Sequence, residues 1–145
     1  MILKKKVRED IKKISLKKNN FANLNFQKIP NIMGILNLTP DCFSDGGKYN
    51  KKNRGIKHAL QMFKDGANII DVGGESTRPG SKAINEKMEW DRINKTLKLM
   101  CKKITVSLDT RKSEIMKKRI KSGIKIINDD YGLTYENKTK HILKK

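Results

Sequence analysis

The chain has 145 residues, enough for one domain with its own core. Its formal charge is +19, from 34 Lys and Arg against 15 Asp and Glu, with the lysines spread along the whole length. Aromatic residues make up only 6%, so no stacking platform accompanies the charge, and nucleic-acid binding as the main function is set aside.

Residues 1–28 form a basic lead-in in which Leu3, Val7, Ile11 and Ile14 recur at helical spacing. The pattern predicts a short amphipathic helix, with an apolar face too thin to favour a membrane surface. The first twenty residues lack the apolar stretch of a signal peptide, and no run in the chain approaches the ~20 apolar residues of a membrane span. The two cysteines, Cys42 and Cys101, form no metal-binding pattern and are read as unpaired thiols. Two unpatterned thiols suit a reducing cytosol, so the expected location is the cytoplasm. His58 and His141 are isolated and are assigned no role.

From residue 29 onward the pattern is that of a second unit, running to residue 145. Residues 31–37 are a short apolar run, the first predicted strand, followed by turn-forming residues 39–47. Ile56, Ala59, Leu60 and Phe63 mark one face of a helix ending near Gly66. Residues 67–73 give a second strand and 75–80 a second loop. Trp90, Ile93, Leu97 and Met100 or Cys101 give a second helix. Residues 104–109 give a third strand. Ser113 is the expected N-cap of a third helix through Ile115, Met116, Arg119 and Ile120, stopped near Gly123. Residues 124–128 give a fourth strand.

Four repeats of strand, loop and helix imply parallel strands with helical crossovers. The strands are nearly all apolar, as a sheet covered on both faces requires. An open doubly wound sheet and a closed barrel both satisfy this. Each strand ends in an acid or amide, Asn37, Asp71, Asp109 and Asn128, which favours a ring converging on one centre. The fold expected is therefore α/β: the front half of a (β/α)₈ TIM barrel.

Two loops and two strand ends carry the chemistry. Asn37 offers a hard amide oxygen of the kind Mg²⁺ shares with phosphate oxygens, although from spacing alone ordinary turn-making is the better account of that loop. In the second loop, Gly73 and Gly74 permit close backbone approach, Ser76 and Thr77 bring hydroxyls, and Arg78 a fork of donors suited to phosphate. A structural loop with one solvated arginine explains the same residues equally well. Asp109 can accept hydrogen bonds from a flat nitrogen-rich ring, with Asn128 reading the edge beside it. The competing use of Asp109 is to cap the next helix.

Three strings stand together in order: Met33-Gly-Ile-Leu-Asn-Leu-Thr-Pro-Asp-Cys-Phe-Ser-Asp-Gly-Gly47, Gly66-Ala-Asn-Ile-Ile-Asp-Val-Gly-Gly-Glu-Ser-Thr-Arg-Pro-Gly80, and Val106-Ser-Leu-Asp-Thr110 followed by Ile126-Ile-Asn-Asp129. They closely resemble the dihydropteroate synthase family of folate biosynthesis. The resemblance implies a (β/α)₈ barrel transferase joining p-aminobenzoate to 6-hydroxymethyl-7,8-dihydropterin diphosphate. It implies roles at Asn37 (Mg²⁺ and diphosphate), Thr77 (pterin diphosphate), and Asp109 and Asn128 (pterin ring). Arg78, Pro79 and Phe43, with Ser76 beside them, then belong to the loops that close over the diphosphate and shape the p-aminobenzoate pocket.

Asp130 departs from the apolar residue usual at its position and is expected either to weaken packing on the ring or to point elsewhere. The chain is also shorter than the ~250 residues of a complete barrel. A fragment inactive on its own, a half completed by a second chain or a second copy, and a basic binding fragment are the resulting alternatives. Little turnover is expected from the chain alone.

Overall fold

The computed structural model describes residues 20–22, 24–25, 31–39, 54–78 and 80–144. The predicted N-terminal helix lies outside them, as do Phe43, Pro79 and Cys42. The elements in chain order are β1 (Asn20–Phe21), β2 (Leu24–Asn25), β3 (Met33–Asn37), α1 (Arg54–Lys64), β4 (Ile69–Gly73), α2 (Glu86–Met100), β5 (Thr105–Asp109), α3 (Ser113–Ile120), β6 (Ile126–Asn128) and α4 (Thr139–Leu143).

The four longer-range strands form one sheet in the order β3-β4-β5-β6, every pair parallel. Neighbours in the chain are neighbours in the sheet, as expected for successive βα units of a barrel and not for a doubly wound sheet, whose order reverses. Side chains alternate between the faces. Leu36, Ile70, Val72, Val106 and Leu108 point to one face and are buried against Ala59 of α1, Ile93, Leu97 and Met100 of α2, and Ile115 of α3. Burial of each such side chain contributes about 1.5–3 kcal/mol. The other face carries the polar strand ends, and on it Met33 and Ile35 of β3 are 42% and 62% exposed.

Local signals set the helix limits. Asn85 caps α2, its side chain accepting from the Met88 amide at 2.9 Å, with Glu86 and Glu89 in the first turn. Gly66 and Gly123, with φ of 109° and 92°, stop α1 and α3 at the expected places.

Three expectations are corrected. Ser113 does not cap α3. Lys112 holds the cap position with no capping bond from its side chain, and Ser113 is the first helical residue, its hydroxyl donating to the Glu136 carboxylate. Phe63 and Ile120 do not face the core. They are 44% and 40% exposed, and Met62 packs inward beside Ala59 instead. Within the lead-in, β1 and β2 form an antiparallel hairpin that periodicity did not reveal. Its Leu24 is 4% exposed, and the Ala22 carbonyl accepts from the Thr105 hydroxyl at 2.9 Å, anchoring the hairpin to the start of β5.

Candidate active site at the carboxyl edge of the sheet

Strand register builds the site. Asn37 pairs with Gly73, Gly73 with Asp109, and Asp109 with Asn128, so the last residues of all four strands form one row. Residues in one row of a parallel sheet share a face, so Asn37, Asp109 and Asn128 present their side chains together. The row contains Gly73 where the sequence suggested Asp71. Asp71 lies two residues earlier, on the same face, one layer deeper.

Gly73 separates two acceptors. A Cβ there would sit 2.9 Å from Asp109 Oδ2 and 3.2 Å from Asn37 Oδ1. Gly73→Ala is therefore expected to displace the Asp109 carboxylate while the sheet survives. The expected result is at least a tenfold loss of ring-ligand affinity, with a stability change of about 1 kcal/mol or less, checked by calorimetry beside urea unfolding. Unchanged affinity would show that the close approach does not matter.

The electrostatics are unusual for a strand end. Burial, followed by the negative charges of Asp71, Asp130, Glu89 and Asp129, pushes the Asp109 carboxyl up to about 7 from its ordinary 3.8. Asp109 does not cap α3. Asn128 donates through Nδ2 to Asp71 Oδ2 at 2.9 Å. Asp130 is exposed and borders the same cleft as Asp109 and Thr77. It adds negative charge beside the Asp109 carboxyl.

A buried ionic network behind the row was not foreseen. Lys112 Nζ lies 2.7 Å from Glu75 Oε2 and 2.5 Å from Glu89 Oε2. Glu89, on α2, is fully buried and also accepts from Thr110 Oγ1 at 2.5 Å. Arg111 binds Glu75 through two nitrogens at 3.0 Å and donates to the Tyr131 hydroxyl at 2.6 Å. Burial pushes the Glu75 carboxyl up, but the bonds from Lys112 and Arg111 outweigh it and hold it below the usual carboxylate range. The network ties the loop after β4 to the end of β5. Glu75 was visible only as part of the loop string, and nothing singled out Lys112 in a chain so rich in lysine.

That loop carries the remaining predicted residues. The Ser76 carbonyl accepts from the Ser81 hydroxyl at 2.6 Å, and Thr77 and Arg78 are exposed. Thr77 lines a cleft with Asp109, Arg111 and Tyr131. The Arg111 guanidinium stands 4.9 Å from the Tyr131 ring centre and 4.3 Å from that of Tyr135, flooring one side of the cleft's mouth. Among the described residues no group of three or more His, Cys, Asp or Glu is placed to hold a metal ion. No helix among them is long and apolar enough to cross a membrane.

Successive βα units with polar groups gathered at the carboxyl ends of the strands define the chain as part of a TIM-barrel enzyme. The chain belongs to the pterin binding enzyme family, whose pattern matches residues 33–145. It is 42% identical over 117 residues to the dihydropteroate synthase of Bacillus subtilis, covering 79% of this chain and 41% of that protein. It is 48% identical over 103 residues to that of Clostridium beijerinckii, covering 70% and 38%. The structure of a Clostridium difficile dihydropteroate synthase, determined with pteroic acid, superposes with a TM-score of 0.74 at 38% identity, covering 83% of this chain and 46% of that one. The chain thus spans less than half the length of the relatives it matches.

Proposed function

We propose that the chain carries the pterin-reading part of a dihydropteroate synthase site, acting in the cytoplasm on 6-hydroxymethyl-7,8-dihydropterin diphosphate and p-aminobenzoate. In that reaction the aniline nitrogen forms a C–N bond to the pterin methylene carbon. The C–O bond to diphosphate breaks, pyrophosphate leaves with the electron pair, and the nitrogen loses a proton. The observation that carries the proposal is the row Asn37, Gly73, Asp109 and Asn128, with its acceptors directed to one face.

Asp109, when ionised, accepts from ring N–H groups, and Asn128 reads the neighbouring edge. Thr77 lines the cleft with Asp109, which supports a substrate contact there, with Ser76 in the same loop. Arg78 is exposed and has a planar fork of donors suited to the oxygens of a diphosphate. Phe43 and Pro79 are assigned to the p-aminobenzoate side from the sequence. Asn37 Oδ1, a hard oxygen at the edge of the row, fits Mg²⁺ held by one protein group and substrate oxygens. When bound, that ion supplies neutralising charge to the diphosphate. Exclusion of water from the site would protect the electrophilic carbon.

Calorimetric titration of the 145-residue chain with 6-hydroxymethylpterin tests this reading. The expected Kd is on the order of 10 µM. Absence of saturable binding up to about 1 mM, by a chain whose circular dichroism shows it folded, would overturn it.

A further inference from the structure

Asp71 has no part in the chemistry above, yet it is 4% exposed and lies directly beneath the row. Its Oδ2 accepts the Asn128 amide at 2.9 Å. Its Oδ1 is buried without a partner among the described residues, as is the hydroxyl of Ser107, its register neighbour on β5. A buried acid with an unmade bond is costly and calls for a use.

The use follows from donor and acceptor inventory. An asparagine side chain has nearly the same shape either way round, so its partner decides which end points where. A carboxylate only accepts. Asn128 must therefore turn its NH₂ toward Asp71 and its Oδ1 away. Asp109, the register partner of Asn128, is also an acceptor when ionised. Two acceptors then stand side by side on adjacent strands.

We infer that Asp71 is a positioning residue that fixes the Asn128 amide oxygen-outward, so that Asp109 and Asn128 together select a flat ring whose edge carries two N–H donors. The inference rests on the pterin site proposed above and adds its polarity. Asparagine at position 71 offers both a donor and an acceptor, which frees Asn128 to settle either way round.

The test compares 6-hydroxymethylpterin with 6-hydroxymethyllumazine, which has a 2-oxo group in place of the 2-amino donor. The unsubstituted chain is expected to prefer the pterin by about 30-fold, the scale of one well-read ring edge. In Asp71→Asn the preference is expected to fall to about threefold, because the amide at 128 now serves either ring. A merely structural role would weaken both rings alike and leave the ratio standing, and that outcome overturns the inference. Binding of neither ring by the unsubstituted chain overturns the pterin reading as well. A pterin-binding chain whose ratio survives the substitution overturns this inference alone. NMR of the unsubstituted chain provides a second readout that does not depend on the variant folding. The Asn128 side-chain amide protons are expected to exchange slowly without ligand, and free exchange overturns the inference.

Discussion

Asp109→Asn is expected to stabilise the fold near pH 8 while weakening pterin binding at least tenfold. The unfolded carboxyl titrates near its ordinary 3.8 and the folded one at about 7, pushed up by burial and by Asp71, Asp130, Glu89 and Asp129. Between those values the folded chain keeps a proton that the unfolded chain has lost. Stability therefore falls as pH rises through that window and is level above about 7 on this account. Asparagine has no such slope. A full shift of this size corresponds to roughly 4 kcal/mol for an isolated group, and part-exposure of the side chain reduces that to about 2 kcal/mol. Urea unfolding near pH 5 and near pH 8 should show the variant's advantage widening by about 1 kcal/mol or more. Binding has the opposite sign, since only the ionised carboxylate accepts from ring N–H groups. Pterin affinity of the unsubstituted chain should fall as pH drops below about 7, and that of the variant should be low and flat. A variant with the parent's pH-dependence of stability would show that Asp109 is not held neutral by its surroundings. A stability gain traded against function is the usual mark of a residue kept for its chemistry.

Lys112→Met should cost about 3–5 kcal/mol, a large part of the roughly 5–15 kcal/mol that holds a domain of this size together. Lys112 sits between Glu75 and Glu89 at 2.7 and 2.5 Å, with the three side chains 6%, 6% and 0% exposed. Methionine keeps the length and removes the charge. Glu75 would still have Arg111, but Glu89 would keep, among the described residues, the Thr110 hydroxyl alone. Like charges left together in a buried site are costly to ionise. Combining Lys112→Met with Glu89→Gln should recover most of the loss, because Glu75 keeps Arg111 and no buried charge is then left unpaired. Urea midpoints of the single and double variants check both statements. A single variant within 1 kcal/mol of the parent would mean that the network contributes little. The loop after β4 should stay tied to the end of β5 in the single variant, since Glu75 keeps its two bonds from Arg111.

Much of this was legible in the chain, for physical reasons. The strands read as apolar runs, and a polar residue at the end of such a run stands out, which exposed Asn37, Asp109 and Asn128. Glycine after a helical stretch marks its stop, and Gly66 and Gly123 both have positive φ. What stayed hidden depends on partners far away in sequence. Asp71 looked like a strand end because register, which places Gly73 in the row, is a property of pairs of strands. The Glu75–Lys112 bond spans 37 residues, and neither partner had a local pattern. The hairpin of β1 and β2 has two residues per strand, too few for alternation to show, and its anchor is the bond from the distant Thr105 hydroxyl to the Ala22 carbonyl. Ser113 has the right chemistry for a cap, but its hydroxyl is taken by Glu136, so the helix begins one residue earlier in the chain than a serine cap would set it.

The central claim is that four strand ends act as one ring-reading surface. Mapping backbone amide shifts of the 145-residue chain during titration with 6-hydroxymethylpterin tests it most directly. The expected perturbations centre on Asn37, Gly73, Asp109 and Asn128, with the outer helical faces around Leu99 and Ile120 unchanged. Saturable binding whose shifts cluster on those outer faces, with the strand ends silent, would contradict the account.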